Sequence, residues 1–208
     1  MSQPVAVVHL DESCLGNGRE GENPGGGAGL IEVRSPGGRI ERRDFSLHEP
    51  ATTNNRMALQ GATKALEILA GKGVRLVVLM VSDSQYLVRG VREWVPGWQA
   101  RGWTRKGGPI ENLELWKRLY SVRTKHDVQW TWLRGHARHP KNEYADRLAV
   151  RAAREQQSSA GVVPSGFNEW LAAEQEKGLY PGYDPDAAFA ALEARVVEGE
   201  AIPLILVE

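Results

Sequence analysis

The pattern of apolar and polar residues divides residues 5–156 into strands and helices. Apolar residues fill both alternating faces of segments 5–10 and 76–81, which is typical of central strands that are covered on both sides. Segments 28–34 and 39–47 flank a Ser-Pro-Gly-Gly turn and predict a hairpin, and segment 128–133 alternates as a fifth strand.

Helical patterns occupy most of the chain between these strands. Helices are predicted over residues 55–70, 84–94, 110–122 and 140–156, whereas the Trp-rich segment 94–109 is predicted to be irregular. Because helices separate the first, fourth and fifth strands, these strands are expected to pair in parallel, and the hairpin adds an antiparallel part. The fold class is therefore α/β with a mixed sheet.

A change of composition at Gln157-Ser158-Ser159-Ala160-Gly161 predicts a linker. We expect a catalytic domain over residues 1–156 and an acidic C-terminal extension over residues 157–208. The extension contains two short predicted helices, 167–178 and 185–199, and an apolar end, 202–207, that could dock as a strand.

The formal net charge of zero hides an uneven distribution along the 208 residues. Residues 86–156 hold 15 Lys or Arg and 7 Asp or Glu, a net charge of +8, while residues 157–208 hold 2 and 9, a net charge of −7. The basic part is either a footprint for phosphate backbones or a solvated helical surface.

Cysteine content and hydropathy favour a cytoplasmic protein with no membrane attachment. The single Cys14 rules out an intramolecular disulfide and fits a reducing cytosol. The longest proline-free apolar run, 76–81, is far shorter than a membrane span, and no signal peptide opens the chain.

Two aspartates stand just past the carboxyl ends of predicted neighbouring strands. Asp11 follows the first strand and Asp83 follows the fourth, at the edge of an open sheet where ligands gather. Carboxylates that face each other repel unless they are protonated or bridged by a cation, so a divalent metal is the natural partner. Taken alone, an Asp that ends a strand is more often a turn or cap residue.

Five separated motifs place these aspartates in a wider pattern. The segments are DESCLGN (11–17), TTNNRM (52–57), SDSQY (82–86), WVPGWQARGW (94–103) and GHARHPKNE (135–143), the last followed by Asp146. In order and spacing they closely resemble type 1 ribonuclease H, the bacterial form with a basic protrusion, over roughly residues 4–155. The resemblance implies a ribonuclease H-like fold, which is a mixed five-stranded sheet with helices on both faces. It also implies endonucleolytic cleavage of the RNA strand of RNA/DNA hybrids, two Mg²⁺ ions with Mn²⁺ as an alternative, and a monomer.

The resemblance also assigns catalytic roles by motif. Asp11 would bridge both ions, Asp146 would hold the ion that activates water, and Asp83 would hold the ion at the leaving oxygen. His136 matches a loop histidine that helps in water activation or product release, and an imidazole titrates near neutral pH. Glu143 matches an acidic residue close to the first ion. The products would carry 5′-phosphate and 3′-hydroxyl ends.

Substrate contacts are implied at further positions, several of which also read as helix caps or core residues. The expected substrate-binding residues are Ser13, Cys14, Asn17, Ser84 and Gln85 on the RNA side, Thr53, Asn54 and Asn55 on the DNA side, and Trp94, Trp103, Arg101, Arg105 and Lys106 in the protrusion. Trp98 and Trp116 are expected in the core, as are Trp130 and Trp132, which share one face of a strand.

One position departs from the family. After the Asn-Asn-Arg-Met motif the family has a metal-binding glutamate, and this chain has Ala58. Glu67 and Gln60 lie about 180° and about 200° around the helix from it. Glu12 directly follows Asp11 and should point to the opposite face of a regular strand, so no substitute is evident. We expect a form with reduced or no activity, either an engineered Glu→Ala change or a natural variant.

Other functions and two roles for the extension stay open at this point. With Ala58 as its natural state, the chain could be a non-catalytic hybrid-binding module. Alternatively, it could be a DNA-strand transferase or exonuclease of the wider superfamily. The ordered Trp and Asn-Asn motifs speak against the second of these. The extension either docks on the sheet edge or packs on the basic protrusion and competes with nucleic acid.

Overall fold

The computed structural model describes residues 3–16, 23–135, 138–199 and 205–206, which form seven strands, seven α-helices and one π-helical turn. The strands are β1 (Val5–Cys14), β2 (Gly25–Arg34), β3 (Ile40–Glu49), β4 (Val77–Ser82), β5 (Asp127–Leu133), β6 (Val163–Pro164) and β7 (Ile205–Leu206). The helices are α1 (Asn54–Ala70), α2 (Gln85–Arg89), α3 (Val95–Ala100), α4 (Leu113–Arg123), α5 (Pro140–Glu155), α6 (Phe167–Glu176) and α7 (Pro185–Val197), with the π-helical turn at Gly90–Trp94.

All seven strands belong to one mixed sheet in the order β6-β3-β2-β1-β4-β5-β7. The first three strands pair antiparallel, and β1, β4 and β5 pair in parallel, which confirms the predicted α/β fold. The sheet exceeds the expected five strands by two short ones, because the C-terminal extension pairs with both of its edges. β6 lies antiparallel to β3 and β7 lies parallel to β5, so backbone groups that would otherwise be exposed gain partners.

Helices cover both faces of the sheet. On one face α1 packs on β1 and β2, α2 packs on β4 and β5, and α4 packs on α1, in a core that includes Leu10, Ala58, Leu66, Met80 and Trp116. On the other face α5 and the extension helices α6 and α7 cover a second set of apolar residues. The core positions expected for Trp98, Trp116 and Trp130 are confirmed, since each is no more than 8% exposed, and Trp132 is half-buried against the same core.

Two glycines allow close approaches that shape this packing. A Cβ on Gly26 would lie 2.1 Å from the carbonyl oxygen of Ala149, so β2 and α5 can touch only with glycine there. A Cβ on Gly90 would lie 2.1 Å from the Trp116 ring, so glycine lets that indole fill the core at the π-helical turn.

The prediction that segment 94–109 is irregular throughout is wrong for its first part. α3 continues directly from the π-helical turn, with Pro96 in its first turn and Trp98 buried beneath it. Proline is tolerated at that position because the first N–H groups of a helix have no intrahelical partner.

The extension packs on the face of the sheet that carries α5. The Phe167 and Phe189 side chains are fully buried there, and Glu193 pairs with Arg34 at 2.6 Å. Asp186 pairs with Arg42, also at 2.6 Å. Among the described residues, no ion pair joins the extension to segment 94–109, so its observed contacts are those of the docking alternative. None of the described helices is long and apolar enough to cross a membrane.

Candidate active site

Three carboxylates converge where β1 and β4 part. The last residues that pair these strands are Leu10 and Ser82, and Asp11 and Asp83 come directly after them. Oxygen atoms of Asp11, Glu12 and Asp83 all lie within 4.8 Å of one another. The predicted convergence of Asp11 and Asp83 is therefore present, and Glu12 joins it.

Glu12 reaches the site from the opposite face of β1. It stands opposite Gly27, and residues that face each other across antiparallel strands share a face. A Cβ on Gly27 would point at the Met57 carbonyl oxygen of α1 at 3.2 Å, so Glu12 lies on the α1 side. Asp11 lies on the α5 side, where it accepts a hydrogen bond from the Asn142 amide at 3.0 Å.

The expectation that Glu12 points away from the site is therefore wrong, although the alternation behind it holds. Both side chains lie beyond the last β1–β4 pair, where β4 no longer separates the two faces. A glutamate side chain is long enough to reach around this edge. The Ser84 side chain lies beside the Glu12 carboxylate at the carboxyl end of β4 and partly offsets the rise of its pKa.

Ala58 lies on the same side of the sheet as Glu12. Its side chain is 4% exposed, and it follows Asn54 by one helical turn on α1. Asn54 itself lines the carboxylate site. The two other candidate substitutes face elsewhere, since Glu67 pairs with Arg118 at 2.7 Å and Gln60 donates to Glu49 at 2.8 Å.

The first turns of α5 form the opposite wall. Glu143 and Asp146 are three residues apart and share one helix face. His139 caps this helix, because its Nδ1 accepts the N–H of Asn142 at 3.3 Å. The resulting pocket has a volume of about 220 Å³ and is lined by Asp11, Glu12, Asn54, Asp83, Asn142, Glu143 and Asp146.

Burial and mutual repulsion perturb the carboxyl groups of this pocket. Burial, followed by the charges of Asp83, Glu12 and Asp146, raises the pKa of Asp11 to about 10. Burial and then Asp83 raise the pKa of Glu12 to about 8. Oxygen ligands crowded in this way favour either protonation or a hard divalent cation, so the residues fit a metal site of the magnesium type.

Comparison with known proteins decides the family. The family model described as RNase H matches residues 3–154. The chain belongs to the ribonuclease H family. The curated ribonuclease HI of Caulobacter vibrioides is 41% identical over 153 residues, covering 73% of this chain and 95% of that protein. Ribonuclease H of Methylococcus capsulatus is 40% identical over 151 residues, covering 72% of this chain and 90% of that protein.

Solved ribonuclease H structures share the fold. LC9-RNase H1 is 44% identical with a TM-score of 0.79, and the match covers 100% of this chain and 98% of that one. It is described as a type 1 RNase H with the type 2 active-site motif. The RNase H domain of prototype foamy virus reaches a TM-score of 0.60 at 18% identity, over 74% of this chain and 98% of that one, which supports the fold alone.

Of the expected RNA-side and DNA-side residues of this ribonuclease H, two contact the carboxylate pocket. Asn54 lines the pocket, and Ser84 is buried against Glu12. Thr53 caps α1 by accepting the N–H of Arg56. Ser13, Asn55 and Cys14 are half-buried and Gln85 is exposed, while the Cys14 thiol donates to the Thr52 carbonyl at 3.3 Å. Their contacts with nucleic acid stay predictions.

The basic protrusion forms a separate surface pocket of about 500 Å³. Its lining includes Trp94, Arg101 and Arg105, together with Trp98 and Tyr86. Two other predicted residues of this surface lie outside that lining. Trp103 packs edge-on against Tyr120, with 5.5 Å between the ring centroids, and Lys106 is exposed.

Two predicted site residues, Asn17 and His136, lie outside the described residues. Sequence reasoning gave no role to Asn142, which holds Asp11, or to Tyr180, which donates a hydrogen bond to Glu143 from the extension. A signal for Glu12 was present, because an Asp-Glu pair ends a strand in a chain that lacks the family's helical glutamate.

Proposed function

We propose that this ribonuclease H is catalytically competent and cleaves the RNA strand of RNA/DNA hybrids endonucleolytically, giving 5′-phosphate and 3′-hydroxyl ends. The observation that carries competence is the approach of the Asp11, Glu12 and Asp83 oxygens to within 4.8 Å of one another. Glu12 thereby supplies the carboxylate that Ala58 lacks. Hybrid duplex is a substrate class consistent with two proteins that share this fold, the foamy viral protease-reverse transcriptase and LC11-RNase H1, whose structures were determined in complex with RNA/DNA hybrid.

The carboxylates fit a pair of divalent ions, with Mg²⁺ expected and Mn²⁺ as an alternative. Asp11, Glu12, Asp83 and Asp146 would hold these ions. Bound ions would supply Lewis-acid activation of the attacking water and charge stabilisation at the leaving oxygen.

The protein's own contacts keep Asp11 in place for this role. The Asn142 amide donates to one carboxylate oxygen at 3.0 Å, and the Glu12 N–H donates to the other at 2.7 Å. Both oxygens therefore have fixed orientations, as outer partners of metal ligands commonly provide. His136 is proposed to transfer protons during the reaction, and Glu143 to orient water.

The direct test uses purified protein, Mg²⁺ and a hybrid labelled on each strand. Cleavage of the RNA strand alone, abolished by a chelator, is the expected result. Salt-dependent binding of the hybrid without any cleavage would instead support the hybrid-binding module, and cleavage of duplex DNA with intact hybrid would overturn the substrate class.

A ligand swap tests whether Glu12 takes the place of the helical glutamate. Ala58→Glu alone is expected to add no activity, because Glu12 already fills this side of the pocket. It should lower the free energy of unfolding by about 1–3 kcal/mol, since position 58 is buried. Glu12→Gly should abolish cleavage, and adding Ala58→Glu to it should restore a substantial part.

Initial cleavage rates of the four proteins decide the outcome. Activation by Ala58→Glu in the presence of Glu12 would mean that Glu12 does not serve as the ligand and that the chain is an impaired enzyme.

A further inference from the structure

The C-terminal extension contacts every second residue at the start of α5. The Tyr183 ring lies edge-on to His139, with 6.5 Å between the centroids. The Lys141 ammonium donates to the Pro185 carbonyl at 3.2 Å. The Tyr180 hydroxyl donates to a carboxylate oxygen of Glu143.

Asn142, which lies between Lys141 and Glu143, faces the carboxylate cluster and not the extension. Asn142 donates from its side chain to Asp11 at 3.0 Å, while its own N–H is held by the His139 cap. The start of α5 is therefore fixed between the extension on one side and the carboxylate cluster on the other. Glu143 belongs to both contacts, since it lines the pocket and accepts the hydrogen bond from Tyr180.

Tyr180 is held firmly enough to orient a partner. Its backbone has a φ of +49°, the left-handed region that few non-glycine residues adopt. The Gln175 side-chain amide donates to its carbonyl at 3.3 Å, and its ring packs on Trp170 with centroids 5.8 Å apart. The turn that carries Tyr180 therefore places the hydroxyl, rather than leaving it as a mobile surface group.

We propose that Tyr180 is a positioning residue of the carboxylate site, acting through Glu143, so that the extension completes the α5 wall of the site. The inference rests on the proposed metal-dependent cleavage. A free glutamate side chain samples several rotamers, and the hydroxyl selects one of them. Loss of an outer partner of a metal ligand typically lowers metal affinity or activity by 10–100-fold, and because Tyr180 acts one group further out, through Glu143, we expect the lower end of that range.

Tyr180→Phe tests the role because it removes the hydroxyl and keeps the ring on Trp170. We expect kcat for hybrid cleavage to fall about tenfold with KM unchanged, and the affinity for Mn²⁺ measured by calorimetry to fall by a similar factor. Tyr120→Phe, at a half-buried tyrosine on α4, is the matched control and should leave both quantities within about twofold of wild type.

A double-mutant cycle with Glu143→Ala, which removes the acceptor, shows whether Tyr180 acts through that carboxylate. In the Glu143→Ala background, Tyr180→Phe should have less than about a twofold further effect. The proposal would be overturned if Tyr180→Phe had the same effect in the Glu143→Ala background as in wild type, or if Tyr180→Phe alone kept the wild-type kcat and Mn²⁺ affinity. The hydroxyl would then only attach the extension to α5. If wild type cuts no hybrid, the proposed function fails, and the Mn²⁺ affinities still decide the role of Tyr180.

Discussion

Replacing Glu12 by glutamine should lower the rate of hybrid cleavage by more than about 100-fold, beyond the loss expected for an outer partner of a metal ligand. The amide keeps the size of the side chain and its place near Ser84, but it is a poor ligand for a hard cation. The same change should raise the melting temperature of the metal-free protein, because it removes one of three crowded carboxylates. Mg²⁺ should then stabilise the variant less than it stabilises wild type.

The control for this experiment is Glu114→Gln, at an α4 carboxylate that is 82% exposed and does not line the pocket. It should leave cleavage and metal stabilisation unchanged. If Glu12→Gln retained more than about half of the wild-type rate, Glu12 would not be a metal ligand. The activity of a chain with Ala58 would then need another explanation. Opposite shifts in stability and activity are the signature of a functional residue that the fold does not need.

The sequence was sufficient to predict the frame of this site. Segments 5–10 and 76–81, which are apolar on both faces, are the central parallel strands. An aspartate that directly follows such a strand lies at the carboxyl edge of the sheet. The cap at Thr53 set the start of α1 within one residue. These features depend on local pattern and on the order of the elements, which a single sequence carries.

The position of Glu12 at the site could not be read from strand alternation. Alternation correctly predicted that Glu12 lies on the face opposite Asp11. Whether its side chain can still reach the site depends on where the neighbouring strand β4 ends, and that is decided by tertiary structure. The role of the extension was hidden for a similar reason. Its acidic residues appeared to complement the basic segment 86–156, whereas Asp186 and Glu193 pair with arginines of β3 and β2.

A buried ionic cluster beneath α5 shows how strongly the extension and the active-site helix depend on each other. Glu32 is fully buried, and its two oxygens pair with Lys141 at 2.8 Å and with Arg42 at 2.9 Å. Arg42 also pairs with Asp186 of the extension. Burial, with the nearby charges of His139 and Lys141, keeps the pKa of His9 well below its usual value, so His9 adds no charge to the cluster.

Lys141→Met should therefore lower the free energy of unfolding by about 3 kcal/mol, because it leaves Glu32 with one cation in a site closed to water. Lys177→Met is a matched control, since that lysine also pairs with a glutamate at 2.8 Å but is 63% exposed, and its loss should change stability by about 0.5 kcal/mol or less. Adding Glu32→Gln to Lys141→Met should recover part of the lost stability, because it removes the buried negative charge that Lys141 no longer neutralises. Arg42 still pairs with Asp186 in this double variant. Equal effects of the two lysine changes in urea unfolding would show that the interior cluster is as well solvated as the surface pair. The two lysines share residue type and ion-pair distance, so the difference between the two losses measures burial together with the contact of Lys141 with the Pro185 carbonyl.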